Sequence, residues 1–279
     1  MQMKNFIQRL PIKNVTDCKI IHGGDTNKTY KIIAAKQKYF LKVQPYADAG
    51  YFDHEKKGLV EISRAGANTL KPLASGQIDN MAYLLLNWLE KSVGSQADLG
   101  RMVAKLHQRH NNSFGFGDYY RTRILLKDNR WRTSWINFYV EQRLLPEVNY
   151  AKKVGRWNDW REHHFEQMVT AFTTYYADKV IVPSLCHGDL WFGNVMFAAG
   201  KPYLIDPDAV YGDREFDLAM TTVFGGFNDD FYAAYNEVYP LVPGVEERLN
   251  WYRFYYLCMH LNLFGEIYGN AVDDILRQY

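Results

Sequence analysis

The stretch His187-Gly188-Asp189-Leu190-Trp191-Phe192-Gly193-Asn194 places an imidazole, a carboxylate and an amide close together along the chain. Asp189 and Asn194 lie five positions apart. Protein kinases have a catalytic loop of the form H-R-D-L-x-x-x-N, in which the Asp accepts the proton of the attacking hydroxyl and the Asn binds magnesium. The same spacing here predicts ATP-dependent phosphoryl transfer, with Asp189 as the catalytic residue and Asn194 as a metal ligand.

A β-hairpin is predicted directly after this loop. Two short apolar runs, Val195-Met196-Phe197 and Lys201-Pro202-Tyr203-Leu204-Ile205, flank the turn-forming Ala198-Ala199-Gly200. Pairing of the two runs would bring Asp206 back beside Asn194. Because amide and carboxylate oxygens are ligands that Mg²⁺ prefers, Asp206 is the second predicted metal ligand, and ATP and Mg²⁺ are the predicted cofactors.

Two further residues near the loop are predicted to support it and to take no part in the chemistry. His187 is expected to hold the loop by hydrogen bonds, since an Asp beside the attacking hydroxyl makes a histidine base unnecessary. Asp217 falls in a predicted helix over 213–220 that follows the hairpin. Its carboxylate is expected to accept hydrogen bonds from backbone N–H groups of the loop.

A phosphate-binding turn is predicted near the N-terminus. Predicted strands at Ile20-Ile21-His22 and Thr29-Tyr30-Lys31-Ile32-Ile33 flank it. Glycines and backbone N–H groups in such a turn approach phosphate closely. The alternative is an ordinary hairpin turn without a ligand. The residues of this turn predicted to bind the nucleotide are Gly23, Gly24, Asp25 and Asn27.

Lys42 and Glu55 are the candidates for the ion pair that positions the ATP phosphates. Lys42 lies inside the apolar strand Tyr39-Phe40-Leu41-Lys42-Val43, ahead of a helix predicted over 51–65. Glu55 falls on the inward stripe of that helix, so its carboxylate needs a cationic partner. The alternative for Lys42 is a solvated strand lysine. The order of strand lysine and helix glutamate favours the pair.

The distribution of predicted strands and helices indicates an α+β, bilobal, protein-kinase-like fold. Residues 1–88 are strand-rich apart from one helix and form the predicted N-terminal nucleotide-binding lobe, an antiparallel sheet. Helices dominate residues 89–279, the predicted larger catalytic and acceptor-binding lobe. At the junction, where a kinase hinge contacts adenine through its backbone, the predicted nucleotide contacts are Asn87, Trp88 and Leu89.

The composition limits the kinds of partner that the chain is expected to bind. The chain has 279 residues, 47% of them hydrophobic, which suffices for one sizeable core or two small ones. A net charge of +2 with dispersed basic residues gives no indication of nucleic-acid binding. No run of 18 apolar residues indicates a membrane span. Three widely separated cysteines and the lack of a signal-peptide pattern predict a cytoplasmic protein without a disulfide framework.

The predicted site favours a small acceptor over a protein substrate. Only six residues separate Asp206 from Asp213, which leaves no room for a long peptide-binding activation segment. Trp191 follows the catalytic motif and could offer an apolar face to a sugar ring. Asp213 and Glu215 are candidates for recognising an acceptor amine, although a helix N-terminus or an arginine such as Arg214 would explain them equally well.

The chain resembles a known family, the fructosamine/ketosamine kinases, within the protein-kinase-like and aminoglycoside-phosphotransferase-like group. The resemblance covers nearly the whole chain. Its most specific parts are His187-Gly188-Asp189-Leu190-Trp191 with Gly193-Asn194, Asp206-Pro207-Asp208-Ala209, and the segment from Tyr211-Gly212-Asp213 to Met220. It implies ATP-dependent phosphorylation of a sugar hydroxyl on a ketosamine, either small or protein-bound. In similar enzymes this step destabilises the adduct and allows the amine to be recovered, which is deglycation.

One segment departs from the family pattern. After Phe114-Gly115-Phe116-Gly117 the family usually shows an Asn and then Pro-Gln-x-Asn, whereas this chain has a different sequence over 118–129. The precise acceptor therefore stays open, and an aminoglycoside, a choline-like compound or a sugar alcohol are alternatives. A catalytically silent nucleotide-binding protein is a further alternative. The phosphorylated hydroxyl, lobe closure and the oligomeric state are also open.

Overall fold

The computed structural model describes residues 2–21 and 27–279. Its N-terminal part is an antiparallel sheet with two helices. In chain order the elements are α1 (Gln2–Gln8), β1 (Val15–Ile21), β2 (Lys28–Ala34), β3 (Gln37–Pro45), α2 (Asp53–Arg64), β4 (Pro72–Ile78) and β5 (Met81–Asn87). The five strands lie in the order β1-β2-β3-β5-β4. Strand β3, which carries Lys42, is therefore the central strand.

Both faces of this sheet are covered, which explains the uninterrupted apolar sequence of β5. Side chains alternate between the two faces of a strand. Tyr83 and Leu85 belong to the core under α1, together with Phe6. Leu84 and Leu86 belong to the core under α2. A strand buried on both faces has a nearly continuous apolar sequence, and β5 accordingly reads Met-Ala-Tyr-Leu-Leu-Leu-Asn.

The C-terminal part is mainly helical. Its helices are α3 (Gln96–His107), α4 (Trp135–Tyr139), α5 (Leu145–Lys153), α6 (Asp159–Tyr176), α7 (Arg214–Val223), α8 (Asp229–Val238), α9 (Val245–Phe264) and α10 (Gly269–Leu276). Its short strands are β6 (Asp118–Arg121), β7 (Leu126–Asn129), β8 (Ser184–Cys186), β9 (Val195–Ala198), β10 (Lys201–Leu204) and β11 (Val210–Gly212). They pair antiparallel as β6 with β7, β8 with β11, and β9 with β10.

Large aromatic side chains fill the core of the helical part. Trp135 and Tyr139 of α4 pack against Phe216 of α7 and Tyr252 of α9. The buried Tyr252 hydroxyl in this core is hydrogen-bonded, as is usual for buried polar groups. The Tyr252 hydroxyl accepts the Trp135 indole N–H at 2.9 Å. This packing fixes α7, the helix that supports the catalytic loop.

A π-helical segment, Val140–Leu144, joins α4 to α5 and attaches the β6–β7 hairpin to the helices. Gln142 Nε2 donates to the carbonyl oxygens of Asp128 and Arg130 at 3.1 and 3.2 Å. Arg143 donates to the side-chain oxygen of Asn129 at 2.6 Å. Segments of π-helix inside longer helices often occur at functional sites. Here the segment holds the hairpin at the edge of the candidate active site.

Asn68 and Thr69, which precede β4, connect the sheet to the β9–β10 hairpin by hydrogen bonds. Thr69 Oγ1 donates to the Leu204 carbonyl at 2.7 Å, and Asn68 Nδ2 donates to the Pro202 carbonyl at 3.0 Å. Asp206 follows β10 by two residues. The contacts thus link the sheet that carries Lys42 with the segment that carries Asp206.

The predicted fold class is confirmed: a five-stranded antiparallel sheet precedes a larger helical part. The predicted helix over 51–65 is observed as Asp53–Arg64, and the predicted hairpin is observed as β9 and β10. The N-terminal part contains α1 in addition to the one predicted helix. Within the described ranges, no helix combines the length and apolarity needed to span a bilayer. The division into lobes at residue 88 stays a prediction.

Candidate active site

The buried carboxylate of Asp217 in α7 holds the backbone of the catalytic loop by hydrogen bonds. Asp217 Oδ2 accepts the backbone N–H of His187 at 2.6 Å, and Oδ1 accepts that of Gly188 at 2.7 Å. His107 Nε2 of α3 lies 3.1 Å from Oδ2. The Asp217 side chain is fully buried. A buried carboxylate needs such donors, and in return it fixes the backbone just before Asp189.

His187 also contacts the backbone on both sides of the site. Its Nε2 lies 2.9 Å from the Ile205 carbonyl, and its Nδ1 accepts the Asp189 N–H at 3.3 Å. Burial lowers the pKa of His187, so the neutral ring with the proton on Nε2 fits both contacts. This geometry agrees with a supporting role for His187.

Gly188 allows the loop to pass close to the segment after Asp206. Its φ is +84°, in the left-handed region that favours glycine. A Cβ at this position would lie 1.8 Å from the Asp208 carbonyl oxygen. No side chain fits there, which explains a glycine in place of the arginine of the protein-kinase motif.

Asp189, Asn194 and Asp206 come together at the end of the β9–β10 hairpin. Asn194 Nδ2 donates to Asp189 Oδ2 at 2.9 Å. The Ile205 N–H donates to the Asn194 carbonyl at 3.0 Å, which places the start of the Asp206 segment beside Asn194. Asp206 has φ of +54°, a conformation that Asp adopts more readily than most residues. Burial is the main cause that raises the pKa of Asp189 to about 7, and the charge of Asp208 adds to it.

Lys42 lies between two carboxylates. Its Nζ is 2.7 Å from Glu55 Oε2 and 3.2 Å from Asp206 Oδ2. Although burial favours the neutral amine, Asp206 and Glu55 outweigh it and raise the pKa of Lys42. The predicted ion pair with Glu55 is therefore present, and Lys42 is a buried cation at the point where strand, helix and Asp206 segment meet.

The donor set fits a hard divalent cation. The Asn194 amide nitrogen is committed to Asp189, which leaves Oδ1 as the atom that would face a cation. Asp206 is only partly buried, and its carboxylate oxygens are the second kind of ligand that would face the cation. One amide and one carboxylate with room for water and phosphate oxygens is the set that Mg²⁺ takes in phosphoryl-transfer sites.

The structure describes only some of the other residues that are predicted to contact the nucleotide. Gly23, Gly24 and Asp25 lie outside the described residues, and Asn27 is half-buried just before β2. Asn87 ends β5, and its side-chain oxygen accepts the Lys71 N–H at 2.6 Å.

Trp88 and Leu89, the two residues after Asn87, face the sheet. The Lys31 ammonium lies 4.5 Å from the centre of the Trp88 ring. Leu89 packs on the core under α2, together with Met196 and Ile205. The adenine contacts stay predictions.

Trp191 is exposed next to the catalytic loop. The side chain is 39% exposed. Its ring covers Gly193, where an added Cβ would lie 2.2 Å from the indole, and it meets Phe224 edge-on at 6.0 Å between ring centres. Phe224 in turn contacts His260 at 4.8 Å. Trp191 thus begins a partly exposed aromatic surface two residues after Asp189.

Asp213 and Glu215 have the contacts that the alternative to amine recognition predicts, a helix N-terminus and an arginine, and amine recognition stays a prediction. Asp213 is the N-cap of α7: its Oδ1 accepts the Glu215 N–H at 3.0 Å, and its Oδ2 accepts the Tyr252 hydroxyl at 2.7 Å. Glu215 forms a two-pronged ion pair with Arg248 of α9, at 2.6 and 2.8 Å. Both carboxylates are buried and have internal partners. The arginine partner is Arg248, since Arg214 donates to backbone carbonyls at 239 and 240.

Asp208, for which the sequence predicted no function, contacts side chains from three other elements. Lys127 of β7 and the Tyr120 hydroxyl of β6 each contact one of its carboxylate oxygens. His54 Nε2 of α2 lies 3.3 Å from Oδ1. Its position two residues after Asp206 was a signal in the sequence. Nothing in the sequence indicated that its partners would come from α2 and from the segment that departs from the family pattern.

Comparisons with known proteins agree with this geometry over nearly the whole chain. A family model described as "Fructosamine kinase" matches residues 2–279. The chain is 47% identical over 277 residues to a "Probable ketoamine kinase" of Lactiplantibacillus plantarum, with 99% of each chain covered. It is 28% identical to the "Ketosamine-3-kinase" of Mus musculus, covering 91% of this chain and 92% of the relative.

A solved structure gives the same answer. The crystal structure of a "Putative fructosamine-3-kinase" from Haemophilus somnus superimposes with a TM-score of 0.86 at 25% identity, covering 95% of this chain and 92% of that one. The match thus includes the sheet with Lys42, the catalytic loop and the helices behind it. The chain belongs to the fructosamine kinase family and is a phosphotransferase.

Proposed function

We propose that this enzyme transfers the γ-phosphoryl group of ATP to a sugar hydroxyl of a ketosamine, such as a fructosamine or a ribulosamine, with Mg²⁺ as cofactor. The observation that carries the proposal is the arrangement of five side chains. Lys42 contacts Glu55 and Asp206, and the Asn194 amide contacts Asp189. A nucleotide-binding protein without activity would need the Lys42 ammonium to bind phosphate. It would have no need of the contact between Asp189 and Asn194.

Lys42 supplies positive charge for the phosphates of ATP. It is buried and held by two carboxylates, so its ammonium needs little reorganisation when a phosphate arrives. Asn194 and Asp206 are the residues that would hold Mg²⁺. When bound, the ion offsets negative charge that develops on the transferred group and on ADP.

Asp189 orients the acceptor hydroxyl and accepts its proton. The Asn194 amide occupies Asp189 Oδ2, so Oδ1 is the oxygen that takes the proton while the hydroxyl oxygen bonds to phosphorus and the bond to ADP breaks. The transfer is direct, and no covalent intermediate on the enzyme is needed. The two-lobe division at residue 88 belongs to this proposal, with ATP between the sheet and the helical part.

The acceptor site is proposed to be small. Strand β11 (Val210–Gly212) and α7 follow Asp206 almost at once. The aromatic surface that begins at Trp191 gives an apolar face of the kind that binds sugar rings. A cytoplasmic location, as expected from the cysteine content, also stays a prediction.

The decisive experiment measures Mg²⁺-dependent ADP release with four acceptors: a ribulosamine, a fructosamine, an aminoglycoside and choline. The expected result is acceptor-dependent ADP with a ketosamine and a product heavier by one phosphoryl group. Turnover only with the aminoglycoside or choline would replace the proposed acceptor class. Nucleotide binding without turnover on any of them would overturn the proposal.

Asp189→Asn is the matched variant for this experiment. The amide keeps the shape of the side chain but cannot accept the proton as readily, so kcat should fall at least about a hundredfold. The dissociation constant for Mg·ATP should stay within about threefold, since Asp189 is not proposed to bind the nucleotide. Unchanged turnover would refute the role of Asp189.

A further inference from the structure

His54 lies in the first turn of α2, directly before Glu55, and is buried against the β6–β7 hairpin. Its ring stacks in parallel on Tyr120, with 3.7 Å between the ring centres. Its Nδ1 lies 3.1 Å from Asp118 Oδ2, and its Nε2 lies 3.3 Å from Asp208 Oδ1. One side chain of α2 thus reaches the hairpin and the segment that carries Asp206.

The partners of His54 are themselves fixed. Tyr120 donates its hydroxyl to Asp208, and Lys127 forms an ion pair with the same carboxylate. The Asp208 N–H donates to the His187 carbonyl of the catalytic loop at 2.9 Å. The hairpin is attached to the helices through Asn129. His54 therefore contacts side chains that are bonded to the catalytic loop and to the helical part.

The first turn of α2 is held by the Asp53 N–H, which donates to the Gly50 carbonyl at 3.0 Å, and by the buried Phe52, but it lacks a side-chain cap. The residue before it, Phe52, provides no side-chain hydrogen bond to the open N–H groups of the helix. The later turns are held separately: Gly58 packs closely against Ala209, and Glu61 accepts the Tyr211 hydroxyl at 3.0 Å. Contacts made by its own side chains add to the restraint of the turn that contains Glu55.

We propose that His54 is a positioning residue that holds the first turn of α2 where Glu55 meets Lys42. The buried contacts of its ring with Asp118, Tyr120 and Asp208 restrain this turn, which lacks a side-chain cap. The charge arrangement agrees with this role. Although burial favours the neutral ring, Asp118 and Asp208 outweigh it and raise the pKa of His54.

The consequence concerns nucleotide binding. If the first turn moves, Glu55 separates from Lys42, and the ammonium is left with Asp206 alone. Lys42 would then be displaced from the position proposed for the ATP phosphates. This inference rests on the proposed function only through the role of Lys42, and it makes no assumption about the acceptor.

The test is a double-mutant cycle read by nucleotide affinity. His54→Ala should weaken Mg·ATP binding, measured by calorimetry, on the order of tenfold, about 1.4 kcal/mol. In a Glu55→Gln background the same substitution should have almost no further effect, since the pair that His54 positions is already broken. Lys56→Ala, an exposed change two positions along the same helix, should leave the affinity unchanged.

Two results would overturn the inference. One is an equal loss of affinity from His54→Ala in both backgrounds, and the other is a lower melting temperature with unchanged affinity. If His54→Ala does not fold, His54→Gln gives the same comparison with a smaller change in volume. Because affinity is measured without an acceptor, an enzyme that binds ATP but phosphorylates no ketosamine would refute the proposed function and leave this test intact.

Discussion

Asp217 illustrates at the residue scale how a buried charge positions catalytic backbone. Its two oxygens accept N–H groups from His187 and Gly188, and His107 completes the set. A hydrogen bond to a charged group contributes roughly 1.5–3 kcal/mol, which is more than a neutral one contributes. Removing the charge should therefore affect both folding stability and the geometry of Asp189.

Asp217→Asn tests this role. The amide nitrogen would face a backbone N–H and leave at least one donor unpaired, so the free energy of unfolding should fall by about 2–3 kcal/mol. The value of kcat should fall as well, because Asp189 follows the loosened backbone. Urea unfolding and steady-state kinetics measure the two effects. Asp178→Asn, an exposed change, is the control. An Asp217→Asn protein with wild-type stability and kcat would contradict the supporting role.

Trp191 is predicted to contact the acceptor. Trp191→Ala should raise the acceptor KM roughly tenfold, equivalent to about 1.4 kcal/mol, while the KM for ATP stays unchanged. Trp160→Ala is a matched control, since Trp160 in α6 is also 39% exposed. Equal effects of the two substitutions on the acceptor KM would exclude a specific contact by Trp191.

Local spacing predicts some of these residues and fails for others. The Asp189 to Asn194 interval and the strand-then-helix order of Lys42 and Glu55 are short-range patterns, and the contacts between these residues are present. Local spacing left two interpretations of Asp213 and Glu215 open, because their partners, Tyr252 and Arg248, come from α9, far along the chain.

At the element scale, the same limit applies to α2. The hydrophobic stripe of this helix predicts its inward face, and the structure places Glu55 there beside Lys42. The stripe does not predict the contacts of His54, the residue before Glu55, because its partner Asp118 lies 64 positions further along the chain. The β6–β7 hairpin and the π-helical segment that holds it were likewise not predicted. Their positions depend on contacts between elements rather than on local pattern.

The contact between α2 and the hairpin predicts a pH dependence of stability. Burial opposes the charge on His54, but Asp118 and Asp208 raise its pKa above the unfolded value of about 6.5. Also near the ring are Tyr120 and Lys127 from the hairpin, and Glu55 and Lys57 from α2. A raised histidine pKa stabilises fully below the unfolded value, and the stabilisation is lost as pH rises through the folded value.

The measurement is urea unfolding of the wild type and His54→Gln between about pH 6 and about pH 9. The wild type should be the more stable protein at the acidic end, and the difference should shrink toward the alkaline end. His110→Gln, which changes an exposed histidine, should give no such trend. A constant or growing difference would mean that the ring is not charged in the folded protein.

For the whole molecule, the arrangement of cores determines which parts unfold together. One core lies between α1 and the sheet, a second lies between the sheet and α2, and a third fills the helical part and includes Ile62 of α2. The core under α1 contains no residue of the helical C-terminal part. Helix α2 and the bonds made by Thr69 connect the other two. Unequal stability of the two faces of the sheet follows from this arrangement.

Phe6→Ala probes the core under α1. The Phe6 ring is fully buried and packs edge-on against Tyr83 at 6.1 Å, so its removal should cost about 3–5 kcal/mol of local stability. If residues 1–88 form a lobe with its own cooperative unfolding, amides of β1 and β2 should exchange with deuterium much faster in the variant. Amides of α9 should keep their wild-type rates. Ile20→Ala on β1, where the side chain is 65% exposed, should change neither set. Faster exchange of α9 by the same factor would show one cooperative unit and refute the boundary at residue 88.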